Sequence, residues 1–492
     1  MRRKLSERAL TRLMPIIVTA IFLSLPAWLV PVCLVMDCAP VSARTKQRPG
    51  ERPNIVLFVA DDLTVTDNGP YGSKRVRTPN LNRLAAQSMR FDRAFAASPT
   101  CVPSRAALYT GLMPFRNGAH PNHSQSNEGV KSLAHYFQQL GYVTAQAGKR
   151  HFNPVSVFPF EIIKNSEVPE PGFESKPALR LDLNTSPVDK WLAGADKSKP
   201  FFLIVADHSP HVVWADKAEY KPEEVDIPPN HIDTPETRAA RARYYTDITK
   251  MDRNLGGVLA SLDKYGLAEN TIFIFTSDQG AQWPFSKWTV YDAGIRVPLL
   301  IRWNGVIKPG SVTDALISLV DVVPTFIEAA GGKSPEGPEV LDGQSFINVL
   351  RGHSQTHREY IFATHTGDRE WNRNPARAAR TGRYKLILNL APEITYTTHI
   401  DLAKDHDGGR EYWPSWEERA KTDQRAAAVI DRYRNHPREE FYDLAADPYE
   451  IHNLIGDQKY ADIIADLRAR LSAWRKQQKD DKTGPDPAPP TK

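Results

Sequence analysis

Acidic, amide and thiol side chains stand where apolar runs of this chain stop. Asp61 and Asp62 follow "NIVLFV" (54–59), and Asp278 and Gln279 follow "TIFIFTS" (271–277). Three carboxylates and an amide oxygen gathered at one rim suit a hard divalent cation, Ca2+ or Mg2+. Taken alone, an Asp-Asp pair after a strand serves equally as a cap or a turn. The histidines show no His-Glu-x-x-His spacing, which argues against zinc. In "TCVPSRAALYTG" (100–111), Cys101 is the only cysteine beyond the first forty residues. A lone buried cysteine is ordinarily a small hydrophobe. Here Arg105 lies four residues on, and "SRAALYTGL" reads as a helix entered through Pro103. A helix N-terminus beside an arginine attracts anions and would depress a thiol pKa, so a cysteine–histidine nucleophile is one reading. That reading leaves the cation set unexplained.

The elements that must position these groups are legible as apolar runs. Besides 54–59 and 271–277, strands are expected in "GYVTAQAG" (141–148), "PFFLIVADHSPH" (200–211) and "RVPLLIRW" (296–303). Thr78-Pro79 and Thr234-Pro235 open helices, the second running to about Leu267. Strands alternating with helices give an α/β fold with a largely parallel sheet, whose ligands gather beyond the carboxyl ends of the strands. Lys149, His151 and His211 fall at that rim with the acids. After residue 385 the pattern changes: "YKLILN" (384–389) is strand-like, a helix is expected near 419–434, and another over 458–476. The expected division is a catalytic domain over 53–384, a smaller α+β domain over 385–476, and a disordered tail over 477–492.

The chain has 492 residues, 41% apolar and 25% charged, and its 39 prolines favour a loop-rich body over a helical bundle. Five basic residues precede an uncharged run from Leu13 to Met36, followed by Val-Ser-Ala ending at Ala43. This reads as an export leader over 1–43 with a polar linker over 44–52, placing the mature chain in the periplasm or outside the cell. The run is also long enough for an uncleaved anchor, although Pro15, Pro26 and Pro31 weaken that reading. The leader carries five basic and two acidic groups, so the remainder has net charge +5 − 3 = +2. No basic stripe argues for nucleic acid. Loss of Cys33 and Cys38 with the leader leaves Cys101 without an intramolecular partner, an unusual retention in an oxidising compartment.

Cys101, Pro103, Ser104, Arg105, Leu108, Thr110 and Gly111 spell Cys-x-Pro-Ser-Arg-x-x-Leu-x-Thr-Gly, which resembles the signature of the formylglycine-dependent sulfatases. "PNIVLFVADD", "GYVTAQAGKRH", "FFLIVADHSPH", "TIFIFTSDQG", "GIRVPLLIRW", "RTGRYKLI" and "FYDLAADPYEIHNL" extend the resemblance over about 53–475. It implies an alkaline-phosphatase-like fold, and conversion of Cys101 to Cα-formylglycine by a formylglycine-generating enzyme. One hydroxyl of the hydrated aldehyde attacks sulfur and the other expels sulfate; a serine would remain a stable sulfate ester. The resemblance further implies one Ca2+ held by Asp61, Asp62, Asp278, Gln279 and the modified Cys101. Arg105, Lys149 and His151 would orient the hydrate, and His211 and Lys287 would hold the sulfate and assist the leaving group. His208 and His365 are candidates for the sugar pocket. Gln279 stands where most relatives have asparagine.

Within the family the chain resembles the heparan N-sulfatases, through "VFPFE", the His-x-Pro-His of "DHSPH", "TRAARARYYTDITKMDRNLGGVL" and the insert before "FYDL". The implied substrate is the N-sulfate of glucosamine. Ser209 replaces an acidic residue of those relatives, and "KWTVYDAGIRVP" follows the general sulfatase pattern, so an O-sulfatase for another sulfated polysaccharide is the alternative. A phosphoesterase of the same superfold would carry serine or threonine in place of Cys101, and an inactive glycan-binding relative would have lost ligands retained here. The sequence leaves open whether the chain forms a homodimer.

Overall fold

The computed structural model describes residues 52–170, 175, 180–402 and 411–481. The expected leader, with Cys33 and Cys38, and the linker up to residue 51 lie outside the described residues. These residues belong to one compact unit spanning 45–492. Among them no helix is long and apolar enough to cross a membrane.

A nine-stranded sheet forms the centre. Its strands are β1 (Asn54–Ala60), β2 (Met89–Phe95), β3 (Val143–Gly148), β4 (Glu161–Ile162), β7 (Phe201–Ala206), β8 (Thr271–Ser277), β9 (Arg296–Arg302), β10 (Ser311–Thr313) and β11 (Ile317–Ser318). A separate ribbon pairs β5 (Glu167–Pro169) with β6 (Leu181–Leu183). The main order is β10-β2-β9-β8-β1-β7-β3-β4, with β11 also on β2. β4, β3, β7, β1 and β8 run parallel, while β9 is antiparallel to both β8 and β2. Every residue of β1, β7 and β8 is buried, as expected of parallel strands covered on both faces. Val56, Phe58 and Phe275 join the core on one face, and Ile55, Leu57 and Ile274 the core on the other. The helix Pro235–Lys264 begins where expected, with Thr234 Oγ1 accepting the Thr237 N–H at 3.1 Å. Thr78 precedes the helix Pro79–Ala86 but does not cap it; its Oγ1 accepts from Gly69 N–H at 3.0 Å.

The second sheet is antiparallel, in the order β12 (Ile361–His365), β13 (Ala376–Arg380), β14 (Tyr384–Asn389), β15 (Glu439–Asp443). It therefore begins at Ile361, and the expected boundary at 384/385 cuts through β14. The strand β13 reads Ala-Arg-Ala-Ala-Arg, which has no apolar alternation; it is buried because Arg377 and Arg380 find buried partners in Asp480 and Asp292. The helix Ala461–Gln477 covers one face through Leu467, Leu471 and Trp474. The expected tail is also shorter at its start. Gln478 and Asp480 are buried, and Asp480 accepts from Arg377 at 2.6 and 3.0 Å and from Arg475 at 2.9 Å. Residues 482–492 lie outside the described residues. The single helix expected near 419–434 is two, Trp413–Ala420 and Gln424–Arg434.

Candidate active site

Register brings the chemistry together. Ala60 pairs with Ser277, and Val59 and Gly148 both pair with Ala206, so β1, β8, β7 and β3 end at one level. The residues just beyond them meet: Asp278 N–H donates to Ala60 O at 3.1 Å, Asp61 N–H to Ser209 O at 3.2 Å, and Lys149 N–H to Ala206 O at 2.9 Å. Gly148 sits at φ +74°, and a Cβ there would lie 2.0 Å from Ala206 O. Only glycine permits this approach, which turns Lys149 inward.

Cys101 is the first residue of the helix Cys101–Thr110, two residues earlier than Pro103 suggests, and every residue of that helix is buried. Its Sγ lies 3.9 Å from Asp61 Oδ1 and accepts from Gln279 Nε2 at 3.1 Å. Arg105 Nη2 lies 3.3 Å from Asp61 and 2.8 Å from Asp278, and Arg105 Nε donates to Asp278 Oδ2 at 2.9 Å. Lys149 pairs with Asp61, and Lys287 with Asp62 at 2.7 Å. His211 Nε2 is 3.7 Å from Asp62 Oδ2, while its Nδ1–H is donated to Val212 O. The structure thus brings Asp61, Asp62, Cys101, Arg105, Lys149, His211, Asp278, Gln279 and Lys287 into one buried cluster. His151 borders it, close enough to feel Lys149, Arg105 and Asp61.

Three carboxylates face three permanent cations, and the field follows from that. Burial opposes ionisation of Asp61, yet Lys149, Arg105 and Lys287 hold it well below the usual carboxylate range. Burial raises Asp62, and lifts Asp278 to about 7 against the pull of Arg105. Burial, then Lys287 and Lys149, depress His211 far below its ordinary value; burial, then Lys149 and Arg105, take His151 to about 2. Both imidazoles are neutral. The Cys101 thiol departs from expectation. Burial pushes it up to about 12, outweighing Lys287 and Lys149, so the helix N-terminus and Arg105 do not make it a thiolate. A cysteine–histidine nucleophile is not what this environment builds.

Asp61, Cys101 and Asp278 each bring a ligand atom within 4.8 Å of the others. Gln279 Oε1 is buried without a partner while Nε2 faces Asp62 at 2.5 Å. A half-turn of the amide exchanges the two, offering oxygen on the ligand side. Buried carboxylates and an orphaned amide oxygen are the oxygen donors that a hard cation takes.

A cleft of about 190 Å3 opens beside the cluster, lined by Asp61, Lys149, His208 and His211 together with Arg180, Asp247 and Lys250. His208 lines it, bonded through Nε2 to Glu167 at 2.7 Å. His365 does not. It is fully buried, with Nε2 on Asn372 Oδ1 at 2.8 Å and its carbonyl accepting from Arg377, so it braces the second sheet. Sequence reasoning missed Arg180, Asp247 and Lys250. Asp247 and Lys250 sit within the long helix, among Tyr244, Ile248 and Met251, and charges in a buried register were the available signal.

The family model described as "Sulfatase" matches residues 53–332. The chain belongs to the sulfatase family. A second model, described as "N-sulphoglucosamine sulphohydrolase, C-terminal", matches residues 280–415 of this sulfatase. It is 33% identical to an ulvan-active sulfatase of Formosa agariphila, over 87% of this chain and 81% of the relative. Human N-sulphoglucosamine sulphohydrolase is 28% identical, over 91% of this chain and 93% of that protein. A solved protein in complex with its substrate D-glucosamine-2-N,6-O-disulfate shares the fold, with TM-score 0.63 over 88% of this chain and 99% of that one at 22% identity. The enzyme is accordingly a hydrolase of sulfate esters or sulfamates.

Proposed function

We propose that this sulfatase is exported and removes the N-sulfate of glucosamine at a glycan or sugar, using Cα-formylglycine made from Cys101 and one Ca2+. The observation that carries the mechanism is the buried meeting of Asp61, Cys101 and Asp278 within reach of Arg105, Lys149 and Lys287. The substrate assignment is supported by the C-terminal family match and by the human relative.

Asp61, Asp62, Asp278, Gln279 and the modified residue 101 would hold the cation. When present, Ca2+ supplies a Lewis acid toward the nucleophile and sulfate oxygens, and the aldehyde hydrate supplies the attacking hydroxyl. Three carboxylates already matched by three cations leave a divalent ion uncompensated, and that charge draws an anionic sulfate. Arg105 keeps the Asp61 and Asp278 carboxylates in place, and Lys149 and Lys287 point charge at the group in transfer. With Nδ1–H committed to Val212 O, His211 presents Nε2 as the atom that would take the proton of the attacking hydroxyl and pass it to the leaving amine. His151 Nδ1 is buried without a partner and would take part in a hydrogen bond to the hydrate. The cleft beyond Lys149 would receive the sugar, with His208 on its wall.

The relative from Formosa favours a second reading, an O-sulfatase for another sulfated polysaccharide, because it shares more identity than the human enzyme. Sulfate release from N-sulfoglucosamine and from a panel of O-sulfated sugars separates the two. Release from N-sulfoglucosamine alone is expected; release only from an O-sulfated sugar overturns the substrate and keeps the mechanism.

A further inference from the structure

The loop between β12 and β13 leaves the second sheet and enters the catalytic centre. Thr364 N–H donates to Ala97 O at 2.9 Å, anchoring the end of β12 beside the segment that leads into Cys101. Four residues later Asp368 is 1% exposed. Its Oδ2 accepts from Asn122 Nδ2 at 2.9 Å and from Trp288 Nε1 at 2.8 Å. Its Oδ1 lies 3.4 Å from His123 Nε2.

Each partner leads to the site. Asn122 Oδ1 accepts the Val102 N–H at 3.3 Å, in the first helical turn beside Cys101, where amides lack intrahelical acceptors. Trp288 follows Lys287 and has φ +67°, a conformation a bulky side chain keeps only when its surroundings impose it. Here Pro99 O takes its N–H at 3.0 Å and Asp368 takes its indole. His123 stands with its ring centroid 5.4 Å from that of His151. Two donors, the Asn122 amide and the Trp288 indole, share Oδ2, while Oδ1 is buried without a hydrogen bond beside His123 Nε2. A carboxylate oxygen accepts from both as a charged acceptor, whereas an asparagine offers them only a neutral amide oxygen and puts NH2 in place of the second oxygen.

We propose that Asp368 is a positioning residue of the catalytic centre, one carboxylate that locks the Cys101 helix to the Lys287 loop and stands beside His123. The proposal rests on the roles assigned to Cys101 and Lys287 above. A buried carboxylate without a permanent cation on it costs stability, and an apolar residue would fill the space at less cost. Alignment of the Cys101 helix with the Lys287 loop explains its presence. It also makes the second sheet part of the active site.

The test compares wild type, Asp368→Asn and Trp288→Phe, each produced with a formylglycine-generating enzyme. Mass spectrometry of the Cys101 peptide gives the converted fraction, and circular dichroism the folded fraction. Sulfate release from N-sulfoglucosamine and from an aryl sulfate is then expressed per folded, converted molecule. Loss of an orienting partner predicts a fall in kcat of about 10- to 100-fold for Asp368→Asn, with KM little changed. Trp288→Phe, which keeps an aromatic ring but removes the indole N–H, should lose about tenfold. A merely structural role would lower the folded fraction and leave kcat per folded molecule alone; kcat within twofold of wild type in either folded variant overturns the proposal. If Asp368→Asn does not fold, Trp288→Phe decides by the same criterion. Wild type inactive on both probes would overturn the site assignment itself, and this proposal with it.

Discussion

Cys101 is held where a thiol has no use as a thiol. Burial raises it to about 12, so at neutral pH an unmodified Cys101 is protonated, and its neighbours are arranged for oxygen ligands. Unconverted protein is therefore expected to alkylate slowly with iodoacetamide at pH 7.5, far below the rate of a free thiol; rapid labelling in the folded state would contradict this. Gln279 gives a second prediction at the same scale. If its amide oxygen is a ligand, Gln279→Leu should weaken Ca2+ binding by tenfold or more in calorimetry, while Gln279→Asn stays within a few-fold, about the spread usual for a retained ligand type. Equal affinity in both variants would remove Gln279 from the ligand set. Asp61, Asp278 and Lys149 were legible because strand ends in a parallel sheet converge. His365 also ends a strand, and nothing in its sequence distinguished an imidazole turned into the core from one turned to a pocket.

At the scale of elements, the ends of β1, β3, β7 and β8 carry the chemistry, and Asp207 shows the cost of crowding them. Burial lifts its carboxyl to about 8, with Ser209 N–H and Asn254 Nδ2 donating to it at 3.0 Å each. In the unfolded chain an aspartate titrates near ~4. Between about pH 4 and 8 the folded protein keeps a proton that the unfolded chain has lost, so stability falls as pH rises through that window and levels off above it. Asp207→Asn should shrink the drop in urea midpoint between pH 5 and 8, and an equal drop in both proteins would refute the assignment. The buried parallel strands were legible from their apolar runs. The strand β13 was not, because ion pairs rather than apolar side chains bury it, and such pairing leaves no periodic mark in sequence.

Across the whole molecule the end of the described chain returns to the second sheet. Arg377 and Asp480 are both fully withdrawn from water, 103 residues apart. Asp480→Ala leaves the guanidinium without its carboxylate and should cost about 3–5 kcal/mol in denaturant unfolding, whereas the double replacement Arg377→Met, Asp480→Leu should recover much of it. A loss below ~1 kcal/mol would mean the tail is not locked as described. The two-sheet architecture was legible in outline; its boundary was not, because β12 and the loop carrying Asp368 are read correctly only once β13 is seen.

The most direct test of the account varies the fraction of Cys101 converted to formylglycine, by titrating expression of the generating enzyme, and measures sulfate release from N-sulfoglucosamine at saturating Ca2+. The account predicts a rate proportional to conversion, passing through zero at none and absent in Cys101→Ala. A rate independent of conversion, or retained in Cys101→Ala, would contradict it.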